Sequence, residues 1–115
     1  MSLYELTHRL KSSIDELHDR YLRESGPVDR SDHEFFEKVK EETTPYFSLV
    51  QEWFEVAEPF VKNREVSVHP NQIQSTNENI EMLILHSYYL DVEKNRYKDL
   101  YQSSHYVLDM VLDNL

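Results

Sequence analysis

LYELTHRLKSSIDELHDRYLR, residues 3–23, carries Leu3, Leu6, Leu10, Ile14, Leu17 and Tyr21 at steps of three and four. That spacing lines the apolar side chains along one face of an α-helix and leaves the charged residues on the other. Ser25-Gly26-Pro27 follows at once. Glycine is expected to take the left-handed closing position there, and proline cannot continue the helix. Gly26 is also the only glycine in 115 residues, beside four prolines and no cysteine. Hairpins and tight sheet connections draw on glycine for backbone with positive φ. A chain so short of it is expected to consist of long helices joined by a few loops.

The residues that follow repeat the pattern. Ser31, with Glu34 three positions on, has the form of a capping box ahead of Phe35 and Phe36, and opens a helix running to about Asn63. Pro45 lacks the amide of a helical bond and disfavours helical geometry at Thr44, so a break or kink is expected between Thr43 and Tyr46. Beyond it Tyr46, Leu49, Val50, Trp53, Ala57 and Phe60 point inward. Pro59 falls on the opposite side, where it bends the helix without ending it. Arg64-Glu65-Val66-Ser67-Val68 favours extended backbone, and Pro70 stands near the start of a third helix. Ile73, Ile80, Leu83, Ile84, Ser87 and Leu90 mark its stripe. Tyr97, Leu100, Tyr101, Ser104, Val107, Leu108, Val111 and Leu115 mark a fourth. The chain is expected to be all-α, an antiparallel up-and-down four-helix bundle forming one domain over residues 1–115. Its helices fall at about 2–24, 32–63 with an interruption near 44, 71–91 and 96–114.

Composition narrows the function classes. Twenty-two acidic residues against twelve lysines and arginines give a net charge of −10. Nucleic-acid binding rests on cations that neutralise phosphates, so no nucleic-acid partner is expected. No apolar run approaches the roughly 20 residues that span a bilayer, and no membrane partner is expected. The opening MSLYELTHRL lacks the basic and then apolar pattern of a secretory signal. Together with the absence of cysteine, this points to a cytoplasmic location. Disulfides, thiolate metal sites and thiol nucleophiles are excluded outright.

Carboxylates and histidines in a helical bundle invite a di-iron reading, in which Glu-x-x-His pairs project inward. Glu5-Leu6-Thr7-His8 and, more loosely, Asp15-Glu16-Leu17-His18 offer that spacing. Glu5, His8 and Asp15 lie off the leucine stripe, however, and no other helix supplies a second inward pair. These are expected to be solvated side chains; no metal and no cofactor are expected. His69, ahead of Pro70, reads as a capping residue, with an anion contact or a general acid as the functional alternative. His86 and His105 fall at the edges of their helices' apolar faces. Asn77, Ser87 and Ser104 lie near those faces, where small polar groups either fix helix register or line a ligand cavity.

Stretches of the chain resemble the YppE-like proteins, small bacterial proteins of unknown function. The likeness lies in DHEFFEKVK (Asp32 to Lys40), the single Trp53, VHPNQI (Val68 to Ile73), and ENIEMLILHSYY followed by KNRYKDL, ending at Leu100. It implies a four-helix up-and-down bundle and no particular activity. His69, Asn79, Ser87, Tyr88, Arg96, Lys98 and Asp99 carry the likeness and become candidates for a shared role.

Two surface features bear on partners. In an up-and-down bundle the first and third loops share one end, which gathers Arg20, Arg23, Arg30, Lys94, Arg96 and Lys98. An anion or an acidic partner would find its cations there. Glu24, Asp29, Asp32, Asp91, Glu93 and Asp99 share the region, so internal ion pairs are the competing account. The second feature is an apolar line, Met82, Leu85 and Tyr89, pointing away from the third helix's core stripe, with Tyr106 and Met110 likewise on the fourth. With Met82 level with about Tyr106, the five would merge into one exposed patch for a protein partner or a second copy. The alternative is that the third helix is covered on both sides. The leading functional expectation is a non-catalytic interaction module, either a homodimer or an adaptor. The competing one is a small-ligand or metal-binding bundle with an enzymatic activity that no motif reveals.

Overall fold

A computed structural model describes residues 1–26, 28–64 and 66–115. Four helices make up the fold: α1 (Leu3–Arg23), α2 (His33–Lys62), α3 (Pro70–Tyr89) and α4 (Lys94–Asp113). No strand occurs among the described residues. Ser2 caps α1 by accepting the Glu5 amide, and Asp32 caps α2 by accepting the Phe35 amide. The cap of α2 therefore lies one residue beyond Ser31, which instead bonds Asp29 through both its amide and its hydroxyl.

Cross-helix bonds set the directions. Tyr46 donates to Glu16 at 3.1 Å and the Trp53 indole to Thr7 Oγ1 at 3.1 Å, so α2 runs antiparallel to α1. Tyr88 donates to Glu42 at 3.1 Å, and the Ser87 and Tyr97 hydroxyls lie 2.6 Å apart, which continues the alternation through α3 and α4. Lys11 meets Asp109 at 2.5 Å and closes α4 back onto α1. α1 and α3 also touch across the diagonal, whereas among the described residues α2 and α4 do not meet. The result is the antiparallel up-and-down bundle, 47 × 27 × 20 Å.

The stripes face inward as their spacing requires. Leu6, Leu10, Ile14 and Leu17 of α1 pack with Val50, Trp53 and Ala57 of α2, Ile73, Ile80 and Ile84 of α3, and Leu108 and Val111 of α4. Trp53 is fully buried, while Tyr46, Leu49 and Phe60 sit half-buried at the edge of this core. Leu115 is exposed rather than part of the fourth stripe, because α4 ends at Asp113.

Two further local expectations are corrected. α2 is not broken near Pro45; it runs unbroken from His33 to Lys62 with Pro45 and Pro59 inside it. Pro45 and Glu41 are both exposed, so the carbonyl left without a helical donor faces water. Thr43 and Thr44 bind the preceding turn, donating to the carbonyls of Val39 and Lys40 at 2.6 Å each. Gly26 does not close α1 in the left-handed region, for no described glycine has positive φ. Its role is a close approach: a Cβ placed on Gly26 would stand 2.3 Å from Leu90 Cβ. Leu90 itself holds the left-handed conformation, φ 55°, as the residue that ends α3 after Tyr89. Pro27, assigned to the stop after α1, and Glu65, assigned to the extended run before α3, lie outside the described residues.

Candidate functional site

α1 carries a second stripe, polar at Lys11, Asp15 and His18 and ending on the apolar Leu22, in steps of four, three and four. Antiparallel packing sets it against a matching line on α4. Lys11 pairs with Asp109, and Asp15 lies 2.7 Å from His105 Nε2 while accepting the Tyr101 hydroxyl at 2.6 Å. His18 stacks on Tyr101 with ring centroids 4.2 Å apart, and Tyr21 on Tyr97 at 3.8 Å. Partial burial pushes the Asp15 carboxyl up. The bonds from Tyr101 and His105, with the charges of His105 and Lys11, outweigh it and hold the group below its ordinary value. Burial and the Asp15 bond push the Tyr101 phenol up to about 12. Burial likewise raises Tyr97 to about 12 against the lowering effect of its bond to Ser87.

One step further along, the pairing runs out. Leu22 is 59% exposed and comes level with Lys98, one helical turn from Lys94. Between them lies a groove of about 250 Å³ walled by His18, Tyr21, Tyr97 and Tyr101, with Asn95 and Gln102 at its edge. No carboxylate lines it among the described residues, and neither lysine enters an ion pair there. A second hollow shares Tyr21, Leu22 and Lys94 and continues around the end of the bundle toward Gly26 and Leu90. A larger groove, about 570 Å³ between α1 and α2, is of mixed character, with Arg9 and His8 beside Glu16 and Glu52.

The other residues singled out from the sequence fall as follows. Of the basic end, Arg30 pairs with Asp91 and lies 4.6 Å over the Tyr89 ring. Arg20 lies 3.9 Å over the Tyr88 ring and 3.8 Å from Glu24. Arg96 reaches the Met82 sulfur, and Arg23 is exposed. Only Lys94 and Lys98 front the α1–α4 groove.

His69 caps α3: its Nδ1 accepts the Asn71 amide at 3.0 Å, and its own amide donates to Gln72 Oε1 at 2.8 Å. Asn79 is half-buried and Asp99 exposed. Ser87 is buried and also donates to the Leu83 carbonyl. Ser104 donates to the Leu100 carbonyl of its own helix, and Asn77 to Glu81. His86 lies 3.0 Å from Asp91; burial first, then the charges of Arg96 and Arg30, push its pKa down. No group of three histidine, aspartate or glutamate side chains is placed to hold a metal ion among the described residues. No described helix is long and apolar enough to cross a membrane.

The five-residue apolar patch does not assemble as expected. Tyr89 is buried (7% exposed) against Phe35 and under Arg30, because the first loop folds over the end of α3. Leu85 and Tyr106 stand out at 41% and 64%, but Met82 and Met110 are half-buried. The Ser87–Tyr97 and Gln72–Met110 contacts put Met82 level with about Tyr101 rather than Tyr106, an offset of ~7 Å along the axis.

The groove at Leu22 was missed because His18 and Asp15 read as solvated residues and Tyr97 and Tyr101 as core. The signal was the polar stripe itself, whose members match in order across the two helices.

Comparison with known proteins agrees with this architecture. A model of a bacterial domain of unknown function, DUF1798, matches residues 7–115. The uncharacterized protein YppE of Bacillus subtilis is 30% identical over 115 residues, spanning 99% of this chain and 92% of that one. The crystal structure of YppE superposes with a TM-score of 0.76 at 29% identity, covering 96% of this chain and 89% of that one. A Listeria innocua protein of unknown function shares the fold, with a TM-score of 0.82 at 23% identity over 98% and 90% of the two chains. The bundle, its order of helices and nearly its whole length thus place this chain in the DUF1798 family, to which it belongs.

Proposed function

We propose that the chain is a protein-interaction module, an adaptor that docks a partner at the α1–α4 end groove. The supporting observation is the conjunction found there: an exposed leucine, a tyrosine wall and two lysines that pair with no carboxylate among the described residues. Elsewhere on the basic end, Arg20 and Arg30 are engaged with neighbouring carboxylates and rings, and Arg96 with Met82. Tyrosine serves interfaces well because a large rigid ring contributes contact area at little entropic cost and its hydroxyl tolerates water. A partner contacting Leu22 would cover apolar surface that the bundle leaves wet.

The test compares two exposed leucines. Immobilised wild-type chain, Leu22→Glu and Leu85→Glu are challenged with native cell extract. A protein retained by wild type and Leu85→Glu but lost with Leu22→Glu supports docking at the end groove. Retention unaffected by Leu22→Glu, or lost only with Leu85→Glu, moves the interface to α3 and refutes this placement.

A further inference from the structure

Resting on that reading, we infer that the end groove recognises an extended acidic segment of a partner protein, with alternate carboxylates on Lys94 and Lys98 and a neighbouring apolar side chain against Leu22 and Tyr21. Size excludes a buried small molecule first. At about 250 Å³ the groove is smaller than the roughly 300–1,000 Å³ that envelops such ligands, and it admits one or two side chains.

Charge then selects the occupant. In a chain of net charge −10, this is a groove with two lysines and, among the described residues, no lining carboxylate. Of the carboxylates nearby, Asp15 is engaged with Tyr101 and His105 and Glu24 with Arg20, while Asp19, Glu93 and Asp99 are exposed. At physiological salt, charges beyond ~8 Å are largely screened, so the lysines of the lining, rather than the acidic surface as a whole, set the sign at contact. Geometry completes the match. Residues four apart on a helix are separated by ~6 Å along its axis. Residues two apart in an extended chain point the same way and lie ~7 Å apart. A Glu-x-Glu segment laid along the first turn of α4 therefore meets both ammonium groups from one face. Asp19 is the charge such a segment must pass, being near enough to Tyr101 to raise its phenol pKa.

The probes are fluorescein-labelled peptides with the core Glu-Ser-Glu-Ser-Phe, or Gln in place of both Glu, read by fluorescence anisotropy. The acidic peptide is expected to bind saturably at sub-millimolar concentration, and the Gln peptide about tenfold more weakly. Lys94→Gln with Lys98→Gln should cost a similar factor, the double charge reversal to Glu more, and Asp19→Asn should tighten binding. All these positions lie at the surface, and circular dichroism with Trp53 emission verifies the fold of each variant.

Equal affinity for the two peptides, or indifference to the lysine pair, overturns the inference. In that case a partner still captured through Leu22 leaves the interaction module standing. Inorganic phosphate that displaces the peptide at equal concentration reduces the site to a simple anion contact. Light scattering that shows a dimer dissolved by the lysine reversal makes the occupant a second copy, and both outcomes refute a separate acidic partner.

Discussion

Gly26→Ala adds a single methyl group at the point where the first loop crosses the end of α3. The new Cβ would sit 2.3 Å from Leu90 Cβ, 3.0 Å from the Leu90 carbonyl oxygen and 3.1 Å from Leu90 Cδ1. Carbon atoms in favourable contact stand about 3.5–4.0 Å apart, so the first overlap exceeds 1 Å. Cβ is fixed to its backbone, and the Leu90 backbone is held by the Leu90 amide bond to the His86 carbonyl that ends α3. No rotamer change relieves it. Overpacking of this kind costs about 1–3 kcal/mol, offset by at most about 1 kcal/mol from the lower entropy of the unfolded alanine chain. The expected net loss is about 1–2 kcal/mol, read as a lower midpoint in urea unfolding followed by Trp53 fluorescence.

A second variant isolates the cause. Leu90→Gly removes the opposing Cβ and relieves a left-handed leucine, worth about 1 kcal/mol, while forfeiting the packing of a half-buried side chain. In that background only the 3.0 Å approach to the backbone carbonyl oxygen remains, so Gly26→Ala should cost clearly less than in the wild type. A Gly26→Ala penalty of the same size with and without Leu90, or no penalty in the wild type, would refute the close-approach account.

Thr7→Val keeps the volume but strips the Trp53 indole N–H of its acceptor in a fully buried site. A loss of about 1–3 kcal/mol in urea unfolding is expected, and a change below about 0.5 kcal/mol would contradict the bond. Tyr88, Tyr97 and Tyr101 are each pushed up to about 12 from an ordinary 10.0. Their contribution to stability is full below pH 10 and is lost as pH rises through the folded value, so ultraviolet titration should show late phenolate formation coincident with loss of helicity. His86 is shifted down from 6.5, so the unfolded chain takes up the proton first. Stability should therefore fall as pH drops from above 6.5, and His86→Gln should flatten that part of the urea-midpoint profile; an unchanged slope would dismiss the assignment.

The fold was legible because its determinant is periodic. Leu6, Leu10, Ile14 and Leu17 announce a buried face by spacing alone, and three more such stripes with short links leave little but a bundle. The break expected at Pro45 does not form because a proline's cost depends on which side of the helix it faces. Position 45 looks outward, where water serves the freed carbonyl, and helical context overrides a local preference. Gly26 misled for the opposite reason: the residue type fits a left-handed turn, but the need for it arises from Leu90, sixty-four positions away in sequence and in contact in space. Tyr89 fell from the surface to the interior through that same loop, whose path no spacing rule describes.

The candidate site was hidden in plain periodicity. Lys11, Asp15, His18 and Leu22 have the same three-and-four spacing as the leucines of α1, one face around. A hydropathy reading discards such a line because it is polar. Its partners on α4 answer in reverse order, Asp109 for Lys11, His105 for Asp15 and Tyr101 for His18. At Leu22 the answer is Lys98, and the rule of complementary pairs fails. A seam that needed only to hold two helices together would close with another pair at that point. Ending instead on an exposed leucine and two lysines unpaired among the described residues, it leaves an apolar contact and a positive charge side by side on an acidic molecule. The missing complement, a carboxylate next to an apolar side chain, is what the proposed partner segment supplies.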